Sequence, residues 1–95
     1  MKYQALGLLA RGLAERGLGK DAEAIESLRA AIAIARRLDY PALFIRIAAE
    51  LLLQDGDDVL AADARSAVSQ LLEELDDPAA RRSFESAEPV LRIRS

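Results

Sequence analysis

Residues 38–42 read Leu38-Asp39-Tyr40-Pro41-Ala42, and residues 75–79 nearly restate them as Leu75-Asp76-Asp77-Pro78-Ala79. Proline is tolerated in the first turn of a helix because its missing N–H would have no partner there. Each segment therefore predicts the end of one helix and the start of the next. Asp39 or Tyr40 would cap the first new helix and Asp77 the second. The 37-residue separation of the two segments indicates an internal repeat.

The repeat extends outward from these two segments in both directions. A shift of 37 residues superimposes Asp21 on Asp58 and Ala24 on Ala61. A shift of 39 residues superimposes the earlier helix instead, with Leu6 on Ile45, Leu9 on Ala48, Ala10 on Ala49, Leu13 on Leu52 and Gly17 on Gly56. The two-residue difference falls within residues 17–20, so one insertion in a turn explains both offsets.

Apolar residues at helical spacing place the predicted helices. They run from about Lys2 to Arg16, Asp21 to Leu38, Pro41 to Gln54, Asp57 or Asp58 to Leu75, and Pro78 to about Ala87. After Pro89, we expect Val90, Leu91 and Ile93 to fold back as a last turn. Ala and Leu dominate and β-branched residues are scarce, which favours an all-α chain.

The inner face of each helix follows from the same spacing. The predicted faces are Leu6, Leu9, Ala10 and Leu13 in the first helix, Ala24, Ile25, Leu28, Ala31, Ile32, Ala35 and Leu38 in the second, and Ala61, Ala64, Val68, Leu71, Leu72 and Leu75 in the fourth. The third helix is apolar almost all round, so we expect it to be buried on several sides. Phe84, Val90 and Leu91 would cap the C-terminal end.

This arrangement resembles the tetratricopeptide repeat (TPR) family over about residues 4–75. In the first helix of each pair, a large side chain is followed three residues later by a large–small pair and after three more residues by another large side chain. The resemblance lies in this pattern, in the turn glycines Gly17 and Gly56, and in the second-helix alanines Ala24 and Ala61. It implies an all-α helical-repeat array: repeat one at about 2–38, repeat two at about 41–75, and a capping helix and tail at 77–95. It also implies a protein–protein interaction module without a cofactor.

The same resemblance implies a concave partner-binding face on the first helix of each pair. Transferred to this chain, that face consists of Gln4, Arg11, Glu15, Leu43, Arg46, Glu50, Leu53 and Gln54, together with Gly7 and Ala14. Arg11 with Glu15 and Arg46 with Glu50 form repeated i, i+4 pairs, which also fit ordinary surface ion pairs. The tail, with Asp77-Pro78, Arg81, Phe84 and Pro89, resembles the segment that ends the repeat arrays of bacterial multidomain regulators.

Other function classes fit the sequence less well. The chain has no Cys and no His, which excludes thiolate nucleophiles, Cys/His zinc sites and imidazole acid–base chemistry. Asp55, Asp57 and Asp58 lack the spacing of a calcium loop and read as the start of a helix. With a pI near 4.9 and 4% aromatic residues, nucleic-acid binding is not expected. We therefore predict no enzymatic activity, no metal and no membrane span.

Charge is unevenly distributed along the chain. The net charge of −3 divides into +3 over residues 1–48, −8 over residues 49–80 and +2 over residues 81–95. Repeat arrays usually need about three repeats to complete their core, and this chain has two. We therefore expect a homodimer through the first helix, the third helix or both. The interpretation is a cytoplasmic interaction module from the end of a larger bacterial regulator, with a stand-alone dimerisation or structural domain as the alternative.

Overall fold

The computed structural model describes residues 2–38 and 40–94, and these residues form six α-helices. The helices are α1 (Lys2–Gly17), α2 (Asp21–Arg37), α3 (Pro41–Gln54), α4 (Asp58–Glu74), α5 (Pro78–Ser86) and α6 (Glu88–Arg94). The all-α expectation is confirmed, and the first five helices begin and end within two residues of the predicted bounds. The predicted last turn is a separate seven-residue helix, α6. Asp39 and Ser95 lie outside the described residues.

Proline and aspartate set the helix starts as the repeated segment predicts. Pro41 and Pro78 occupy the first turns of α3 and α5. The Asp57 carboxylate accepts hydrogen bonds from the backbone N–H groups of Val59 and Leu60, at 3.0 and 3.2 Å. Asp77 accepts the N–H of Ala79 at 3.1 Å, whereas Tyr40 precedes α3 without a side-chain cap. Within the acidic turn after α3, Asp57 thus has a structural role as the cap of α4.

The close approach of α1 and α2 depends on small residues. Ala5 and Gly12 of α1 are buried, as is Ala24 of α2. A Cβ at Gly12 would lie 2.9 Å from Cγ of Leu28 and 3.3 Å from the backbone oxygen of Ala24. The prediction of Ala10 on the inner face is wrong, because Ala10 is exposed. The buried small residue of α1 is Gly12, two positions further on.

Helix α3 lies at the centre of the core. Seven of its fourteen residues are buried: Leu43, Phe44, Ile45, Ile47, Ala48, Ala49 and Leu51. It packs against α2 on one side and against α4 and α6 on others. The expectation that this helix is buried on several sides is confirmed, and the covering helices belong to the same chain.

The second helix pair and the tail depart from the predicted pattern at two positions. Leu60, Ala64 and Val68 are the buried residues of α4, and Ala61 is only half-buried. In α6, Val90 and Ile93 are buried and Leu91 is 53% exposed, so Leu91 does not belong to the cap. Both departures are shifts of the buried stripe within a helix whose position along the chain was predicted correctly.

Substituting alanine for two glycines of α1 tests the close α1–α2 contact. Gly12→Ala should lower the free energy of unfolding by about 1–3 kcal/mol because the new methyl group overpacks the fully buried Leu28. Gly7→Ala adds the same methyl group where no atom lies within 4 Å, and should raise stability by about 0.5–1 kcal/mol through helix propensity. Urea unfolding followed by circular dichroism measures both. Stabilisation by both substitutions would contradict this account of the contact.

Candidate functional site

An open surface lies between α1 and α3, where residues of both helices line two grooves and form an ion pair. We call it the α1–α3 seam and define it by Lys2, Leu6 and Arg16 of α1 and Arg46, Glu50, Leu53 and Gln54 of α3. The seam has a groove at each end and an ion-pair network between them. Four of its α3 residues belong to the partner-binding face implied by the sequence.

Glu50 is the centre of the network. Its Oε2 lies 2.8 Å from Nη2 of Arg16 at the end of α1, an ion pair without an aligned hydrogen bond. Its Oε1 accepts a hydrogen bond from Nη1 of Arg92 on α6 at 3.1 Å. Arg92 also donates to Glu88. The hydrogen bond to Glu88 first, and then that to Glu50, raise the pKa of Arg92 against the opposing effect of desolvation. Its guanidinium therefore stays charged throughout the physiological pH range.

The first groove lies at the N-terminal end of α1 and has a volume of about 220 Å³. Its lining residues are Lys2, Leu6, Tyr40, Ala42, Leu43 and Arg46. The Lys2 ammonium lies 4.7 Å from the centroid of the Tyr40 ring. Arg46 is exposed and makes no ion pair with the residues that the structure describes. This groove therefore combines two cations with a partly exposed aromatic ring.

The second groove lies at the C-terminal ends of α1 and α3 and has a volume of about 330 Å³. Its walls are Arg16, Asp21, Ile25, Leu53 and Gln54. Leu53 is 57% exposed, the most exposed large apolar side chain of α3. Oε1 of Gln54 is buried and receives no hydrogen bond from the described residues. An apolar surface beside an unsatisfied acceptor suits a ligand with an apolar group and an N–H or O–H donor.

The structure divides the predicted partner-binding residues into three groups. Arg46, Glu50, Leu53 and Gln54 lie on the seam. Leu43 contributes to the wall of the first groove but is only 5% exposed, so its prediction as a partner-contacting side chain is corrected. Its position on α3 turns it into the core rather than towards solvent.

The residues predicted in repeat one do not lie on the seam. Gln4 is exposed on α1, and Arg11 and Glu15 line a different groove between α1 and α2. There Glu15 lies 3.8 Å from Arg11 and accepts a hydrogen bond from Oγ of the buried Ser27. The structure packs Leu6, Leu9 and Leu13 against the core as predicted, but it places Arg11 and Glu15 beside α2 rather than on the seam.

Sequence reasoning missed the other charged residues of the seam. Lys2, Arg16 and Arg92 are parts of the seam and its network, yet none belonged to the predicted face. The expected Arg46–Glu50 pair is absent from the described ion pairs, since Glu50 turns towards Arg16 and Arg92 instead. The only sequence signal was the excess of arginine in residues 81–95 opposite an acidic preceding segment.

A further groove between α2, α3 and α4 has a volume of about 320 Å³. Arg36 lies at its mouth, 3.0 Å from Oδ2 of Asp63 and with its guanidinium 5.1 Å from the centroid of the Phe44 ring. These contacts join the first helix pair to the second. Because its charged groups are paired with each other, this groove has fewer groups free for a partner than the seam.

Comparisons with protein-family models, curated proteins and solved structures found no match to this chain. Among residues 2–38 and 40–94, no group of three carboxylates is positioned to hold a metal ion. Each helix in that part of the chain is too short or too polar to cross a bilayer. The geometry of the seam is therefore the basis on which a function can be proposed for this chain.

Removing the Glu50 carboxylate tests the central network. Glu50→Ala removes the carboxylate with which both Arg16 and Arg92 pair, and should lower the free energy of unfolding by about 1–2 kcal/mol. Glu85→Ala removes an exposed carboxylate 3.8 Å from Arg94, and should change stability by less than about 0.5 kcal/mol. Thermal unfolding of both variants in low salt gives the comparison. Equal losses would show that Glu50 is no more than a surface charge.

Proposed function

We propose that this chain is a protein–protein interaction module of TPR type that binds its partner along the α1–α3 seam. The observation that carries the proposal is the groove at the C-terminal end of the seam. There an exposed Leu53 lies beside the buried, unsatisfied oxygen of Gln54. A buried acceptor without a donor costs about 1–3 kcal/mol, so a partner that donates to it gains affinity and selectivity.

The two grooves of the seam define which chemical groups the partner needs at each end. An apolar side chain of the partner packs on Leu53 and Ile25, and a nearby backbone or side-chain N–H donates to Gln54 Oε1. Lys2 and Arg46 at the other end favour acidic residues in the segment that extends along the seam. The proposed ligand is therefore a peptide segment with an apolar anchor at one end and acidic residues at the other.

A catalytic role has less support. The chain contains neither His nor Cys. Ser27 and Glu15 form a hydrogen-bonded hydroxyl–carboxylate pair, but Ser27 is 7% exposed and its carboxylate partner also lies near Arg11. A nucleophile needs access to substrate and an activating base, and the burial of Ser27 denies it that access. The pair is better explained as a polar contact that fixes α1 on α2.

The compartment and the larger protein to which the module belongs are part of the same proposal. We place the module in the cytoplasm, at the end of a repeat array in a larger bacterial regulator. The packing of α6 supports this setting, because Val90 and Ile93 cover α3 and α4 where a further repeat would otherwise stack. An array that ends needs such a cover over its last apolar face.

The test of the proposal is a comparison of two charge-introducing variants. Leu53→Glu places a carboxylate in the seam's C-terminal groove, and Val59→Glu makes a similar change at the 70% exposed Val59 outside both seam grooves. Partners captured by the wild-type protein are identified by mass spectrometry, produced pure and titrated against all three proteins. We expect Leu53→Glu to weaken binding by about tenfold or more, as for loss of a buried apolar anchor, and Val59→Glu to leave it unchanged. Equal binding by Leu53→Glu and the wild type would refute the proposed site.

A further inference from the structure

A second surface lies on the side of the α1–α2 pair opposite α3. We call it the α1–α2 edge and define it by Leu8 of α1 and Glu23, Ala30, Ile34 and Arg37 of α2. On α2, the buried residues Ile32 and Ala35 lie on the side towards α3, and Glu23, Ala30 and Arg37 are exposed on another side. Leu8, Glu23 and Ala30 border the groove between α1 and α2 that was described above with Arg11 and Glu15. This groove has a volume of about 190 Å³, and the buried Ser27 is among its lining residues.

The charges of this edge have a symmetric arrangement. Glu23 lies seven residues before Ala30 and Arg37 lies seven residues after it, so all three fall on one stripe of α2, two turns apart. Neither Glu23 nor Arg37 makes an ion pair with another described residue. The neighbouring arginines differ, because Arg29 is paired with Asp55 and Arg36 with Asp63. This stripe therefore carries one acid and one base at equal distances from a small residue, and neither has an ion-pair partner among the described residues.

We propose that the α1–α2 edge is the interface with a second copy of this chain, related by a twofold axis that passes near Ala30. The two α2 helices run antiparallel, so that Glu23 of each copy faces Arg37 of the other. A twofold interface must be self-complementary, and the Glu23–Ala30–Arg37 stripe meets that condition with two equivalent ion pairs. Ala30 at the centre lets the helices approach closely, and Leu8 and Ile34 add apolar contact beside it.

This interface retains the first helix expected from the sequence, adds α2 and leaves out the third helix. The third helix was a candidate for dimer contacts because of its apolar surface, but α2, α4 and α6 cover α3 within the same chain. Among residues 2–38 and 40–94, no helix covers the outer edge of the first helix pair. A preceding repeat of a longer protein would compete with the second copy for this edge. The surface is small and largely polar, so the dimer is a weak one whose population depends on protein concentration and on salt.

Two charge reversals and their mixture test the interface. Glu23→Arg and Arg37→Glu each place like charges opposite one another twice in a dimer, and each should weaken association by about tenfold or more. Mixing the two variants restores opposite charges at both contacts, so the mixture should associate at least as tightly as the wild type. The control Arg65→Glu reverses an exposed charge on α4 and should leave association unchanged. Sedimentation equilibrium at low salt measures all five samples.

Three outcomes would overturn the proposal. The first is a wild-type protein that stays a 10.3 kDa monomer at every concentration, which leaves the edge to another occupant. The second is a dimer that neither single reversal weakens. The third is a mixture that associates no better than its components, which would show that the reversals act through stability rather than through the Glu23–Arg37 contact. Circular dichroism of each variant confirms its helical content in every case.

Discussion

The rest of this fold depends on the need to bury α3 on nearly every side. A helix that is apolar around most of its circumference is stable in water only when other elements cover it. Helix α2 alone cannot surround it, so α4 and the tail helix α6 have to complete the enclosure. Burial of a side chain such as Ile47 contributes about 1.5–3 kcal/mol, and α3 has seven buried residues over which this effect accumulates.

The tail helix shows how strongly this constraint acts on a short segment. Seven residues do not form a stable helix alone, because nucleation is unfavourable and few hydrogen bonds follow it. Val90 and Ile93 are buried against α3 and α4, and Arg92 donates a hydrogen bond to Glu50 of α3. Arg81 donates to the carbonyl oxygens of Leu72 and Leu75 at the acidic C-terminal end of α4, which orients the chain towards α6. The C-terminal part of the chain is thus ordered by contacts made far away in sequence.

The helix bounds were predictable from local chemistry, and so was the buried face of α2, whereas the buried faces of α1 and α4 were predicted only in part. Pro41 and Pro78 mark helix starts, and the φ of +78° at Gly19 reflects a turn that glycine allows. In α1, two stripes fit helical spacing, one through Ala10 and one through Gly12. The choice between them is made by Leu28 across the interface, which leaves room at Gly12 for no side chain. Gln4, Arg11 and Glu15, three of the eight residues predicted for the partner-binding face, lie away from the seam. The Arg16–Glu50–Arg92 network was not predictable from local sequence because it joins three helices distant in sequence.

The opposite charges of the two helix pairs form ion pairs within one molecule. Basic residues of the first helix pair meet acidic residues of the second in the pairs Arg16–Glu50, Arg29–Asp55 and Arg36–Asp63. Each exposed pair contributes little alone, but together they favour the docking of one helix pair on the other. The charge imbalance is therefore a weak argument for association between copies. A stronger one is that Glu23 and Arg37 make no ion pair with another described residue.

The seam and the α1–α2 edge lie on opposite sides of the same helix pair, and this has a consequence for binding. An association through the edge leaves Leu53 and Gln54 of both copies exposed to partners. Two seams related by a twofold axis run in opposite directions, so one continuous peptide cannot follow both. Two separate segments, or a partner that is itself a dimer, would engage both seams at once, and the second contact would form at a raised effective concentration. A weak dimer of this kind would therefore strengthen binding to divalent partners far more than binding to single peptides.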